Sequence, residues 1–131
     1  MATDRFTHNF SDNFMFAKSK RLSGVAADTY NLIHIPRNAF VIDVWIEILS
    51  VFTLPATVCV GYSGNGGVAV TNGFITTDVA KATELGLKRA MKDSVTTFES
   101  KYFSGGSGVV TATVTGTAGA FQVFALYNIV H

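Results

Sequence analysis

Charge is scarce in this chain: Asp, Glu, Lys and Arg make up 15% of its 131 residues, against about a quarter in ordinary globular domains. The formal net charge is +1, so no global field draws in nucleic acid or another polyanion. Two local basic groups, Lys18 with Lys20 and Arg21, and Lys88 with Arg89 and Lys92, read as solvated edges rather than as a phosphate track. Cysteine is limited to Cys59, which excludes an internal disulfide and a multi-cysteine zinc site. Within Thr57-Val58-Cys59-Val60 it reads as a small core residue. Long apolar runs are missing too. Asp43 and Glu47 interrupt the longest candidate, so nothing approaches the roughly 20 residues of a membrane helix. The charged N-terminal stretch has no apolar segment of the kind a signal peptide needs.

What the chain does have is apolar surface. Hydrophobic residues reach 48% and phenylalanine alone occurs 11 times. One domain of this length buries roughly two-thirds of its unfolded surface. The remaining apolar excess predicts burial against partner chains, and hence an oligomer or an assembly component.

Strand signals dominate. In Val109-Val110-Thr111-Ala112-Thr113-Val114-Thr115 the apolar residues Val110, Ala112 and Val114 share one face and the threonines share the other. Gly116-Thr117-Ala118-Gly119 supplies a turn, and Ala120 to Val130 forms a longer strand. Phe121, Val123, Ala125, Tyr127 and Ile129 occupy one of its faces. The other carries Phe124, Leu126 and Val130, interrupted by Gln122 and Asn128. A strand apolar on both faces is either sandwiched inside a domain or pressed against another chain.

Upstream, Tyr30 to Ile35 reads as a strand ended by Pro36, and Phe40 to Phe52 as the longest strand. In the latter, Phe40, Ile42, Val44, Ile46 and Ile48 predict an unbroken apolar face opposite Asp43, Trp45 and Glu47. Ala56 to Tyr62 returns as a strand after Pro55, and Ser63 to Gly67 reads as a flexible loop. Thr77 to Met91 is the one helix candidate, with Thr77 or Asp78 as cap and Glu84 four residues before Lys88. Gly86 in its middle weakens it by about 1 kcal/mol. Val95 to Phe103 is a further strand. Six or seven strands with at most one short helix predict an all-β fold, an antiparallel sandwich or jelly roll.

Residues 1–23 read as an extended arm carrying Phe6, Phe10, Phe14 and Phe16 as aromatic pegs, ahead of a sandwich domain at 24–131. The arm either folds over its own domain or docks on a neighbour.

Chemistry is hard to find. His8, His34 and His131 have no metal-ligand spacing and no acidic cluster nearby. Ser63 lacks the final glycine of a nucleophile elbow. Gly64-Asn65-Gly66-Gly67-Val68-Ala69 matches the loosened dinucleotide fingerprint, but a β-branched run follows where a helix is required. Asn9-Phe10-Ser11 is a formal glycosylation sequon without a secretory context. Asp43 and Glu47 stand about 13 Å apart on a strand, beyond the separation of paired glycosidase carboxylates, and a solvated sheet face accounts for both. Asn65 is the single side-chain ligand candidate of the loop at Ser63 to Gly67, too little for a cation site. The expectation is a protein without catalytic residues, metal or cofactor.

Two blocks carry a resemblance. Ile35-Pro36-Arg37-Asn38-Ala39-Phe40-Val41-Ile42-Asp43-Val44-Trp45-Ile46-Glu47 is similar to the entry strand of small virion proteins of tailed bacteriophages. Thr111 to Ala118, followed by Phe121-Gln122-Val123-Phe124-Ala125-Leu126-Tyr127, resembles their closing hairpin. Val58-Cys59-Val60-Gly61, Gly73-Phe74-Ile75 and Lys101-Tyr102-Phe103 resemble their middle segments. The resemblance spans about residues 30 to 130. It implies a non-enzymatic β-sandwich or jelly-roll protein on the virion exterior, trimeric, bound to the major capsid protein or other virion proteins, with no direct nucleic-acid or membrane contact. Such proteins serve as head decoration (cement) proteins, as head-fibre bases or as tail-associated components. On that reading Phe6, Phe10, Phe14 and Phe16 dock the arm, and Phe124, Leu126 and Val130 form the oligomer interface. The rival expectation is a carbohydrate-binding module, whose sugar platform would be Trp45 and Tyr62.

Overall fold

The computed structural model describes residues 14–89 and 101–129. Among these residues, ten strands and one short helix follow in order: β1 (Phe14–Lys18), β2 (Leu22–Ser23), β3 (Asp28–Ile35), β4 (Ala39–Ser50), β5 (Thr57–Gly64), β6 (Gly67–Ile75), α1 (Thr77–Ala80), β7 (Gly86–Arg89), β8 (Lys101–Tyr102), β9 (Gly108–Thr115) and β10 (Ala120–Ile129). They make two antiparallel sheets. In sheet I the order is β1-β10-β4-β7, with β2 beside β10 and β8 beside β4. In sheet II it is β3-β9-β5-β6. Counting β1 with β2 and β7 with β8 as interrupted edges gives two four-stranded sheets, and the chain passes from one to the other at every connection except the β5–β6 hairpin within sheet II. This is the connectivity of a jelly roll, as the strand spacing predicts.

The alternation of β9 and β10 makes the core. Val110, Ala112 and Val114 of β9 face Phe121, Val123 and Ala125 of β10 across the sandwich, all buried. Phe103 and Phe121 are the largest fully buried side chains. Phe52 packs on Phe121 with ring centroids 5.8 Å apart.

Three expectations are corrected. The first concerns β4. Its inward residues are Ala39 and Val41, then Val44, Ile46 and Ile48. Opposite β10 the register moves from Leu126↔Asp43 to Tyr127↔Val41, leaving Ile42 as the extra residue of a bulge. Because strand side chains alternate, one inserted residue exchanges the faces on either side of it. Phe40 therefore stands on the outer face, and Asp43 is 5% exposed rather than solvated.

The second concerns the segment after Ile75. Among its described residues Thr77–Ala80 alone is helical, and it is capped by Thr76, whose hydroxyl accepts from the Val79 amide. Lys81 turns left-handed at φ 47°, ending the helix after one turn, and Gly86 at φ 115° opens strand β7. A helix through that glycine loses to pairing of β7 with β4, Trp45↔Arg89 through Ile48↔Gly86. Lys88 accordingly donates from Nζ to the main-chain oxygens of Glu84 and Lys81 instead of pairing along a helix. Its ammonium pKa is lowered, chiefly by burial.

The third concerns Ser63 to Gly67. It is a tight turn, not a flexible loop. Asn65 and Gly66 both have positive φ (61° and 68°) between paired Gly64 and Gly67, the two-residue hairpin geometry that Asn-Gly favours.

The expected arm divides as well. Phe14 to Lys18 pair with Asn128 to Phe124, and Leu22 and Ser23 with Phe121 and Ala120. Between them the Ser19 amide donates to Val123 O at 2.8 Å, and the Val123 amide donates to Ser19 Oγ at 2.9 Å. The serine side chain thus fills the gap in the ladder. Residues 14–23 are the edge of sheet I. Uniformly apolar Phe14-Met15-Phe16-Ala17 shows no alternation because both sides of this edge meet apolar neighbours. Phe6 and Phe10 lie outside the described residues, as does most of the strand expected over Val95 to Phe103.

Candidate functional site

The two outer faces of the sandwich differ in chemistry. On sheet II, Thr29 and Thr113 share a hydrogen bond of 2.9 Å between hydroxyls, and Thr57 and Thr115 do the same on the other side of β9. Asn31 and Thr111 continue this polar ladder. Cys59 stands beside Thr113 in the same row, its thiol donating to Thr71 O at 3.3 Å. Burial pushes that thiol above its ordinary pKa, against the lowering effect of Thr113.

Sheet I presents the reverse. Strand register lays its outward residues in rows across β1, β10, β4 and the β7/β8 edge. One row is Phe14, Asn128, Phe40 and Tyr102. The next is Phe16, Leu126 and Asp43. Then come Lys18, Phe124, Trp45 and Arg89, and last Gln122, Glu47 and Leu87. Phe16 bridges two rows, with its ring centroid 5.9 Å from Trp45 and 6.0 Å from Phe124. Phe40 and Tyr102 pair at 6.3 Å. Phe16 is 63% and Leu87 61% exposed. Phe16, Trp45, Glu47, Leu87 and Phe124 line an open recess of ≈ 340 Å³. Solvated sheet faces ordinarily alternate polar-out. A contiguous exposed aromatic face of this kind departs from that pattern.

One ion pair organises its centre. Arg89 donates from Nε to Asp43 Oδ2, while the Val44 amide donates to Asp43 Oδ1 at 2.9 Å. The guanidinium carbon stands 5.9 Å from the Trp45 ring centroid, within cation–π range. A buried carboxylate needs such partners, and Arg89 supplies its charge while leaving most of its own side chain in water.

The structure brings together residues that the sequence reading had divided between two roles. Phe14 and Phe16, expected as docking pegs, and Phe124 and Leu126, expected at an oligomer contact, lie on one face. Val130 lies outside the described residues. Trp45 belongs to this face, but Tyr62 does not. Tyr62 packs in sheet II against Phe74 and Phe103, at 5.3 and 5.9 Å between ring centroids, so the two aromatics of the sugar-platform expectation do not converge. Leu87, Phe40 and Tyr102 are contributors that sequence reasoning missed. Leu87 was hidden in the helix candidate, and Phe40 was assigned inward by the alternation that the bulge breaks.

Among the described residues no three of His, Cys, Asp and Glu gather as a metal site, and no helix is long and apolar enough to cross a membrane.

No family model matches the sequence, and no curated protein matches it. Solved structures do. The chain is similar to one in the acidic stable capsid structure of Helicobacter pylori bacteriophage KHP30, with a TM-score of 0.57 and 19% identity over 88% of this chain and 87% of that one. A chain of the cyanophage Pam1 capsid asymmetric unit gives 0.61 and 17% over 90% and 86%. One from the capsid of Ralstonia phage GP4 gives 0.59 and 15% over 91% and 86%. The jelly roll described above is thus a fold found, nearly end to end, in three phage capsid structures.

Proposed function

We propose that this protein is a structural component of a phage virion: a decoration (cement) protein held on the exterior of the head shell. It acts without catalysis, as a homo-trimer in contact with the major capsid protein. The observation that carries this reading is the aromatic outer face of sheet I, on a fold shared with chains of phage capsid structures. Phe124 and Leu126, with Val130 beyond them, form the contact between copies. Phe14, Phe16 and the segment 1–13, with Phe6 and Phe10, dock on the shell. On this division the docking arm is 1–13 and the sandwich begins at Phe14.

Energetically, cementing needs only burial. Withdrawing one large apolar side chain from water contributes about 1.5–3 kcal/mol. Several per copy, repeated over a lattice, stiffen a shell against internal pressure. A specific contact of this kind requires about 1,000 Å² of buried surface, which a four-stranded sheet face can supply.

The test is quantitative mass spectrometry of purified particles of the parent virus, scaled to the major capsid protein. A copy number comparable to the capsid protein is expected. A handful of copies per particle would move the protein to a tail or fibre attachment, and absence from the particle would overturn the reading.

A further inference from the structure

The recess beside Phe124 holds one charge with nothing to balance it. Glu47 stands half-buried on β4, between Gln122 of β10 and Leu87 of β7. It lines the recess together with Phe16, Trp45, Leu87 and Phe124. Its carboxylate makes no hydrogen bond or ion pair with any described residue, and the cation beside Trp45, Arg89, is already held by Asp43.

Water serves a half-buried carboxylate while this face is open. Once a partner covers the face the water leaves, and a carboxylate sealed unpaired among apolar groups is costly. Whatever covers the recess must therefore bring a positive charge. The walls narrow its chemistry further. Three aromatic side chains around one carboxylate favour a cation that gains from ring and carboxylate together. Arginine suits such a place better than lysine, because its planar guanidinium lies flat on an aromatic ring and meets a carboxylate with two donors.

One arginine is placed to supply that group. Ser19 bonds to Val123 and Leu22 pairs with Phe121, so Lys20 and Arg21 stand beside Gln122 at the outer edge of sheet I, in the row of Glu47. Arg21 is exposed, and its side chain makes no hydrogen bond or ion pair with any described residue. Of the other described arginines, Arg89 is held by Asp43, and Arg37 lies in the β3–β4 turn, beyond the Phe40 row at the far end of the strands. Within one copy Arg21 and Glu47 are two strand spacings apart, about 10 Å, with Gln122 between them, and they do not pair.

From this complementarity we propose that copies join head to tail, with the guanidinium of Arg21 from one copy seated in the Trp45 recess of the next and paired with Glu47. The pairing rests on the copy-to-copy contact proposed above and names the group that completes it. A contact between two different patches closes into a ring when the rotation allows. Rotation leaves each residue at its own height along the ring axis. An axis along the strands of sheet I therefore brings Arg21 of one copy level with Glu47 of the next.

The experiment measures the oligomer by sedimentation equilibrium for the full chain, Arg21→Ala, Glu47→Gln and the double variant, with circular dichroism to confirm folding. Each single substitution leaves a charge buried alone and should raise the dissociation constant about tenfold or more. The double variant should be no weaker than either single one, since both changes remove the same interaction. Should the Glu47 variant fail to fold, Arg21→Ala alone still gives the readout. A bismaleimide then identifies which copy supplies the arginine. Arg21→Cys chains mixed with Glu47→Cys chains should yield covalent dimers, whereas each variant alone, like the unsubstituted chain with its buried Cys59, should not. Additive losses, or an oligomer indifferent to both substitutions, overturn the pairing and leave sheet I as the contact. Sensitivity to Glu47 without sensitivity to Arg21 also overturns it, and gives the recess to a basic group of the shell protein. A full chain that stays monomeric at every concentration overturns the copy-to-copy contact itself.

Discussion

Asn65 shows how much one side chain can hold together. Its φ of 61° lies in the left-handed region, which asparagine tolerates better than other side-chain-bearing residues. From there it reaches across to the segment that follows β8. Its Nδ2 donates to Tyr102 O at 3.2 Å, its Oδ1 accepts from the Gly105 amide at 2.8 Å, and its own amide donates to Ser107 O at 3.0 Å. These bonds lock the β5–β6 hairpin against the approach to β9, and so fix the end of β8 that carries Tyr102. Asn65→Ala removes two of the three bonds and leaves a less tolerant residue in a left-handed turn. The expected loss is about 1–3 kcal/mol, read as a lower urea midpoint with an unchanged slope. Asn65→Gly keeps the turn but not the bonds, and should lose less than Asn65→Ala. Equal losses would show that the turn conformation contributes nothing.

At the scale of elements, β6 depends on an absence. A Cβ on Gly61 would lie 1.9 Å from Val70 O and 2.5 Å from Thr71 C, both backbone atoms that cannot move aside without unpairing the strand. Along this hairpin the register runs from Val60↔Ile75 to Tyr62↔Val70, so β6 carries several extra residues that curl over Gly61. Gly61→Ala is therefore expected to cost about 3 kcal/mol or more. The loss should concentrate in β6, with faster amide exchange at Val68 to Ile75 than in β9 or β10. Exchange that rises equally in β9 and β10 would show that β6 is not a separable edge. Gly61 also marks what was legible in the sequence. β9 and β10 could be read residue by residue because period-2 alternation and a buried face coincide in them. β4 could be read in length but not in facing, since one bulged residue leaves no mark in composition. The short strand β7 could not be read, because four residues are too few for a period and the flanking charges mimic a helix. The candidate surface was legible to the same degree. Phe16, Phe124 and Leu126 stand out on strands apolar on both sides. Their meeting with Trp45 and Leu87 depends on a strand order that local pattern does not encode.

At the scale of the molecule, the decisive property is the contrast between the two outer faces. Across β3, β9 and β5, sheet II ends in threonines whose hydroxyls satisfy one another along the ladder, a surface at ease in water. Sheet I exposes phenylalanine and leucine around the ion pair of buried Asp43 with exposed Arg89, a surface that costs free energy until something covers it. Assembly is therefore expected to run through sheet I alone. Phe16→Ser together with Phe124→Ser should leave the core untouched, since the inward residues of β10 are Phe121, Val123, Ala125 and Tyr127. The change in unfolding free energy is expected to stay within about 1 kcal/mol, as for surface positions that lack a core contact. The same variant should be more soluble, form no oligomer by light scattering, and fail to add to particles stripped of the wild-type protein. Thr29→Lys, on the edge of sheet II, is the matched control and should assemble normally despite its added charge. The opposite pattern, with the sheet I variant incorporated and the sheet II variant excluded, would place the contact on the threonine face.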